Sequence, residues 1–291
     1  MTQQWAGTTY GNGWMHKHLI RVLRFIPVGA MYVFTAVFIV PVCIVVCNSR
    51  RTSYAFYRDR IGYGRLKSVW SVYTNHCMFA QTVIDKFAMY AGRKFDVKVE
   101  GLDEFNSRAS RAEGFIHMSS HIGNYEIAGY TLVSEHKTIN SVVFANEKQS
   151  VMDNRTSMFA RTNIRMIALK EDMSHLFEIN EVLSDGNIVS FPTDRHVGDG
   201  RCVECDFLGA VARFPQGPFR VAAMRGVDVL AVNVMKEGWK RYRIYVTPLN
   251  YDKTSPREEQ IRQLSRAYVA ELERRVRQYP AQWFNFFDFW A

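Results

Sequence analysis

The apolar and polar positions along the chain predict one long hydrophobic helix followed by alternating strands and helices. Residues 25–47 contain no charged side chain, and a helix of that length can cross the roughly 30 Å hydrocarbon core of a bilayer. Beyond it, short runs of alternating or continuous apolar residues predict strands at 95–99, 114–119, 141–144, 164–169, 187–191, 229–234 and 242–246. Helical spacing predicts helices at 125–133, 153–161 and 173–183, from Gly217 to about Gly226, and from Ser255 onwards. This order predicts an α/β fold: a mixed, largely parallel sheet flanked by helices, with an N-terminal hydrophobic membrane-anchor helix.

The same pattern divides the chain into three parts. Residues 1–24 form a basic N-terminal segment, residues 25–47 the membrane anchor, and residues 48–291 one folded domain of ordinary size.

The hydrophobic run at 25–47 is interpreted as a retained anchor. It is too long for the apolar part of a signal peptide, and no small-x-small cleavage site follows it. Basic residues lie on both sides, so the orientation is not fixed by charge. Because Pro27 and Pro41 interrupt the run, a kinked or partly re-entrant helix remains open beside a helix that spans the bilayer.

Two aromatic-rich segments each allow two placements. Residues 52–92 predict helices that lie on a membrane surface or pack on the folded domain. Six of the eight residues from Trp283 to Trp290 are aromatic, and they either fill the core or lie at a membrane interface.

Helix starts are predicted at two prolines. Ser255-Pro256-Arg257-Glu258 has the sequence of a capping box with proline at the first helical position. Gly217-Pro218 is interpreted in the same way, as a helix that opens with proline.

Charge and cysteine content narrow the class of protein. The chain has 37 Lys and Arg against 28 Asp and Glu, a formal net charge of +9, which favours anionic partners such as an acidic carrier protein or a membrane surface. No nucleic-acid-binding motif accompanies the charge, so no nucleic-acid partner is expected. Cys202 and Cys205 have a metal-like spacing but no second pair, so they are interpreted as strand cysteines, and no metal is expected. An odd number of cysteines without a disulfide framework indicates a domain that faces the reducing cytoplasm.

The candidate chemistry lies in His121-Ile122-Gly123-Asn124-Tyr125-Glu126. If the strand before it ends near Ser119, His121 lies in the loop and Glu126 in the first helical turn, where its carboxylate can point back at the imidazole. Gly123 and Asn124 permit the tight reversal that such a loop needs. No G-x-S-x-G sequence is present, so this is a general base without an enzymic nucleophile. The alternative is that His121 caps the helix and Glu126 is an ordinary first-turn acid.

This hexapeptide resembles the H-x4-[D/E] motif of the lysophospholipid acyltransferase superfamily, in the form found in the lipid A late acyltransferase branch (the lauroyl and myristoyl transferases). Further features follow in the family's order: an apolar anchor, an arginine-bearing stretch, an aspartate after a strand, a Phe-x-Gly turn at 207–209 and an aromatic C-terminus.

The resemblance implies site residues. His121 corresponds to the general base and Glu126 to its charge-relay partner. Asp194 corresponds to the strand-end aspartate, while Arg195 replaces the glutamine of most relatives, which points to a different acceptor headgroup. The remaining residues expected to bind substrate are the site arginine Arg161, with Arg155 and Arg165 as competitors, and Asn124 and Gly217.

The resemblance also implies the reaction. An acyl group would pass from an acyl carrier protein, or coenzyme A, directly to a hydroxyl of a lipid acceptor, with a lipid A precursor as the leading acceptor and no cofactor. The protein would lie in the cell inner membrane with its acyltransferase domain on the cytoplasmic face. Two alternatives stay open: an acyltransferase for a lysophospholipid, an aminolipid or a lipid-like pigment, and a non-catalytic membrane-bound lipid-binding relative.

Overall fold

The computed structural model describes residues 13–132, 134, 136–144, 163–170, 172–195 and 200–290. Within these residues the principal α-helices are α1 (Gly13–Phe25), α2 (Val28–Val46), α3 (Ser49–Ala55), α4 (Arg65–Tyr90), α5 (Leu102–Ala109), α6 (Ala128–Thr131), α7 (His175–Ser184), α8 (Gln216–Arg225) and α9 (Arg257–Gln278). The strands are β1 (Asp96–Glu100), β2 (Phe115–Ser119), β3 (Ile139–Phe144), β4 (Ile164–Leu169), β5 (Ile188–Pro192), β6 (Cys202–Phe207), β7 (Ala210–Pro215), β8 (Val229–Lys236) and β9 (Arg241–Pro248).

The predicted hydrophobic helix is present as α2, and it contains one irregular turn. Its middle turn, Thr35–Ile39, is π-helical and ends two residues before Pro41. Proline has no N–H to donate and its ring crowds the preceding turn, and a wider turn accommodates both effects. Pro27 separates α2 from α1. By length and composition α2 can cross a membrane: its mean hydropathy is 2.4, and only 17% of its most apolar 18-residue window is buried.

The main sheet confirms the predicted α/β architecture. Its strand order is β1-β9-β8-β2-β5-β3-β4. Strands β8, β2, β5, β3 and β4 run parallel to one another, whereas β9 is antiparallel to β8, and β1 is parallel to β9. The carboxyl ends of β8, β2 and β5 therefore meet at one edge of the sheet, where α/β proteins place functional groups.

Apolar side chains cover both faces of this sheet. Met118 on one face lies in a cluster with Leu272 of α9, and Leu230 on the other face lies in a cluster with Phe105 of α5. Both clusters are buried away from water, which stabilises the sheet between two layers of helices.

Most of the predicted elements are confirmed. The strand predicted at 164–169 is β4 with the same ends, and both Cys202 and Cys205 lie in β6 as expected. The helix predicted at 173–183 begins at His175. The helix predicted at 153–161 lies outside the described residues.

The two predicted helix starts at proline are wrong in detail. Helix α9 begins at Arg257, and the Ser255 hydroxyl donates to the Asp252 carboxylate (2.8 Å) rather than capping the helix. The hydroxyl thus donates its hydrogen to a charged acceptor three residues earlier, in the turn before the helix, and α9 begins without a side-chain cap. Helix α8 begins at Gln216, so Pro218 is its third residue.

The C-terminal aromatic segment fills the core. Trp283 and Phe289 are buried, and the Phe207 ring lies 5.6 Å from each of their rings. Phe207 begins the Phe-x-Gly turn between β6 and β7, where Leu208 and Gly209 both have positive φ, as a tight hairpin requires. Of the two placements that the sequence allowed, the core placement is the one observed.

Candidate active site

The loop after β2 is bound tightly to its neighbours. Gly123 N donates to Gln282 O (2.8 Å), and Asn124 N donates to Val234 O (2.9 Å). Gly123 has φ +61, and a Cβ at this position would lie 1.8 Å from Val234 O. Only glycine therefore fits where the loop crosses the end of β8.

The predicted position of the motif on strand, loop and helix is confirmed. Strand β2 ends at Ser119, His121 lies in the loop, and Glu126 lies in a 3₁₀ turn, Tyr125–Ile127, that leads into α6. Phe284 N donates to the His121 carbonyl oxygen (3.4 Å). The loop therefore reverses the chain at the sheet edge and keeps the imidazole there.

Asp194 holds the imidazole. Strands β2 and β5 are paired so that Ser119 lies opposite Pro192, and the chain beyond each strand carries His121 and Asp194 to the same place. Asp194 Oδ1 is 2.8 Å from His121 Nδ1, and Asp194 Oδ2 accepts a hydrogen bond from His121 N, also at 2.8 Å. Both carboxylate oxygens therefore fix the orientation of the ring.

The electrostatics keep Asp194 charged. Burial raises the pKa of its carboxyl, but the charge of His121, its hydrogen bonds and the nearby Arg195 guanidinium more than offset burial, so the pKa lies below the ordinary value. An ionised Asp194 stabilises the imidazolium that forms when His121 takes a proton.

Arg195 is held against the C-terminal segment. Its Nη2 donates to Phe284 O (2.9 Å), and its guanidinium lies 5.5 Å from the centre of the Phe287 ring. Burial lowers the pKa of Arg195, and the Asp194 charge opposes this. The residue expected to bind an acceptor headgroup thus also ties the chain terminus to the loop that carries Asp194.

Glu126 is buried and anchored to α4. Its Oε1 is 2.5 Å from Lys86 Nζ, and its Oε2 accepts a hydrogen bond from Tyr90 (2.8 Å). Glu126 was predicted to hold the imidazole, whereas the carboxylate bound to His121 Nδ1 is that of Asp194. A residue five positions from His121 on the same loop is easily proposed from sequence, but pairing of the strands brings a distant carboxylate to that nitrogen.

The other expected substrate-binding residues lie in different surroundings. Asn124 is buried, and its side chain lies beside the Tyr242 hydroxyl. The pKa of Tyr242 is raised, because burial and the Asp85 charge outweigh the opposing hydrogen bond with Asn124. Gly217 lies in the first turn of α8, with open space where a Cβ would be.

Three arginines were candidates for the site arginine. Arg161 and Arg155 lie outside the described residues. Arg165 is the second residue of β4 at the far side of the sheet. Since β4 is parallel to β2, Arg165 lies toward the sheet edge opposite His121. This position does not suit a site arginine.

Lys86 and Tyr90 bind Glu126 and were not predicted from the sequence as part of the site. Both come from α4, and they reach Glu126 across 40 and 36 residues of chain. The signal in the sequence was the pair Asp85-Lys86 within the otherwise apolar stretch from Val83 to Ala88, because charges in a buried helix face are rare unless they are paired.

Comparison with known proteins places the chain in a family. A family model described as bacterial lipid A biosynthesis acyltransferase matches residues 77–291. Phosphatidylinositol mannoside acyltransferase of Mycobacterium tuberculosis (strain H37Rv) is 24% identical over 192 residues, which cover 66% of this chain and 59% of the relative; its counterpart in strain CDC 1551 matches equally. The chain thus spans less than two thirds of the length of these curated relatives.

Among solved structures, the 1-acyl-sn-glycerophosphate acyltransferase PlsC from Thermotoga maritima has a TM-score of 0.41 and 17% identity, over 93% of this chain and all of that one. The family model includes His121, Glu126 and Asp194 and extends to the end of the chain. The chain belongs to the bacterial lipid A biosynthesis acyltransferase family.

Proposed function

We propose that this protein is a membrane-associated acyltransferase in which His121 is the general base. The observation that carries the proposal is the His121–Asp194 pair at the carboxyl edge of β2 and β5, with both Asp194 oxygens bound to His121. Family membership supports the reaction class, since the family model covers every residue of this pair.

The chemistry follows from the orientation of the ring. With Nδ1 bonded to Asp194, Nε2 removes the proton from the hydroxyl of the acceptor. The oxygen attacks the thioester carbonyl of the donor, a tetrahedral oxyanion forms, and its collapse breaks the carbon–sulfur bond. The imidazolium returns its proton to the departing thiolate. The products are an ester and a free thiol, and no acyl-enzyme forms.

Glu126 has a supporting part in this mechanism. Its buried carboxylate adds negative charge to the loop that carries His121, and Lys86 and Tyr90 hold it in place. This stabilises the imidazolium less directly than Asp194 does, because Asp194 is bonded to the ring itself.

The leading donor and acceptor are an acyl carrier protein and a lipid A precursor. The net charge of +9 suits an acidic carrier, and the matched family is that of lipid A biosynthesis. A second acceptor class is supported by a separate observation, since the mycobacterial relatives are named for a phosphatidylinositol mannoside. The alternative acceptor is therefore another sugar-bearing lipid or a lysophospholipid.

The proposed location is the cell inner membrane, with the folded domain on the cytoplasmic face. Helix α2 supplies the apolar length, and α4 exposes Leu66, Val69 and Trp70 beside it. These side chains favour contact with lipid, which keeps the site beside an acceptor that is insoluble in water.

Lipid mass spectrometry tests the proposal. A strain that lacks the protein is complemented with the wild type, with His121→Ala, or with His136→Ala as a matched exposed histidine. We expect the wild type and His136→Ala to restore an acylated lipid and His121→Ala to leave its precursor one acyl chain short. Restoration by His121→Ala would overturn the assignment of the base, and an unchanged lipid A with another lipid altered would select the second acceptor class.

A further inference from the structure

A second group of charges is buried at the same edge of the sheet, outside the proposed chemistry. Asp85 of α4 is 0% exposed and accepts hydrogen bonds from Tyr32, Tyr242 and Lys236. The Lys236 ammonium also donates to the Tyr32 hydroxyl (2.9 Å) and to Trp239 O (3.3 Å). Each of its three N–H groups therefore has an acceptor.

Stability alone is a poor explanation for this group. Burial raises the pKa of the Asp85 carboxyl and lowers that of the Lys236 ammonium, and each charge opposes the shift of the other. Removing two charges from water costs much of what their attraction returns, so an apolar pair of similar volume would stabilise the fold about as well. The charged pair instead specifies one arrangement of α4, α2 and β8, because only that arrangement satisfies its directional hydrogen bonds.

Helix α4 carries Asp85 and also holds Glu126. Lys86 and Tyr90, one and five residues beyond Asp85, bind the two oxygens of Glu126. A shift of α4 along or around its axis would therefore move Glu126 within the motif loop. Asp85 fixes α4 against the end of β8 through Lys236.

Helix α4 also reaches the His121 side of the loop. Asn75 donates to Trp283 O (3.1 Å), and Trp283 is bridged to Ile122. The neighbouring Gln282 exchanges two hydrogen bonds of 2.8 Å with the backbone of Lys236. The end of β8 and helix α4 thus bind the same C-terminal segment, and that segment binds the motif loop.

The apolar helix α2 takes part through Tyr32. Its Gly29 lies so close to Trp239 that a Cβ there would be 2.3 Å from the ring. The turn between β8 and β9 is therefore packed directly against α2, with the Tyr32 hydroxyl at the centre of the buried group.

We propose that Asp85 and Lys236 are positioning residues for acyl transfer: their buried pair fixes α4 and α2 to the end of β8, and α4 in turn fixes Glu126 and the His121 loop. Neither residue contacts the reacting atoms. The inference rests on the proposed acyltransferase function and adds the means by which the apolar helix is coupled to the geometry of the catalytic loop.

Steady-state kinetics of the full chain in phospholipid–detergent micelles test this. The donor is dodecanoyl acyl carrier protein and the acceptor is a lipid A precursor that lacks one acyl chain. The variants are Asp85→Asn and the milder Tyr32→Phe, which removes a single hydroxyl; Asp228→Asn is the control, because Asp228 pairs with Lys253 at the opposite end of β8. Rates are normalised to folded protein by circular dichroism, well below the unfolding midpoint.

We expect Asp85→Asn to lower kcat on the order of ten- to a hundredfold with KM within about twofold, since a misplacement of about 1 Å remote from the chemistry can cost a hundredfold. Tyr32→Phe should lower kcat less, and Asp228→Asn should leave it unchanged. If Asp85→Asn fails to fold, Tyr32→Phe carries the same test.

A double-mutant cycle with Tyr90→Phe separates positioning from general weakening of the fold. If Asp85 acts through the hold of α4 on Glu126, the losses in kcat from Asp85→Asn and Tyr90→Phe are not additive. Additive losses, or a full kcat in both Asp85→Asn and Tyr32→Phe, would overturn the positioning role. Acyl transfer by His121→Ala in the same assay would instead overturn the proposed function.

Discussion

The His121–Asp194 pair and the Asp85–Lys236 pair lie at the same edge of one sheet and differ in what surrounds them. In the first, Asp194 is 1% exposed but the His121 side chain is 18% exposed. In the second, the exposures are 0% and 3%, and each polar group has a partner within the fold. An open acid–base pair can exchange a proton with a substrate, whereas an enclosed pair can only hold its neighbours in place.

The largest difference between the pairs should be in catalysis. We expect Asp194→Asn to lower kcat by roughly 10²–10⁴-fold, because the ring loses the charge that stabilises the imidazolium and the bond that sets its tautomer. Glu126→Gln should cost less, on the order of tenfold. Single-turnover acyl transfer measures both, and a larger loss for Glu126→Gln would restore Glu126 as the principal partner of His121.

Stability should depend strongly on the enclosed Asp85–Lys236 pair and weakly on an exposed one. Lys236→Met leaves Asp85 buried without its counter-ion, which we expect to cost about 3–5 kcal/mol of the free energy of unfolding. Lys253→Met removes a similar ion pair at the surface, where the side chain is 44% exposed, and should cost about 0–1 kcal/mol. Urea unfolding in micelles measures both.

The double variant Asp85→Leu/Lys236→Met sharpens this prediction. Since both charges are removed, most of the lost stability should return, while kcat should stay low because the directional hydrogen bonds are absent. A double variant as unstable as Lys236→Met would show that packing, and not an unpaired charge, explains the loss.

Acid should reduce the contribution of the His121–Asp194 pair to the free energy of unfolding. The folded-state pKa of Asp194 lies below its ordinary value, so its contribution to stability is present above the unfolded-state pKa of about 3.9 and is lost as pH falls through the folded-state pKa. Each pKa unit corresponds to about 1.4 kcal/mol. The free energy of unfolding of wild type minus that of Asp194→Asn should therefore shrink on acidification, and a difference independent of pH would contradict the assignment.

The smallest effect should come from Arg195→Gln, which removes the guanidinium charge beside Asp194. The guanidinium charge lowers the pKa of Asp194, so its removal should move the acid loss of stability to higher pH by less than about one unit. Acid unfolding followed by tryptophan fluorescence measures the shift, and a move to lower pH would contradict it.

The pattern of apolar residues predicted a strand or helix correctly where a single short segment of sequence determines it. Strand β4 follows directly from its short, mostly apolar run of residues, and the loop between β2 and Glu126 follows from Gly123 and Asn124. The helix start at Ser255 was wrong because Ser255 belongs to a turn with Asp252, to which its N–H and its hydroxyl both donate. This turn depends on a residue that lies outside the four-residue motif, so the motif alone does not predict it.

The sequence by itself determined the α/β order, the hydrophobic helix and the position of His121 in a loop, because these depend on residues close together in the chain. Only the tertiary structure decided which carboxylate holds His121, where the aromatic C-terminus lies, and that Asp85 meets Lys236. Those contacts join residues 73 and 151 positions apart, and strand pairing and helix packing bring them together. The periodicity of apolar residues indicates which face of a helix or strand is buried. It does not indicate which distant residue packs against that face.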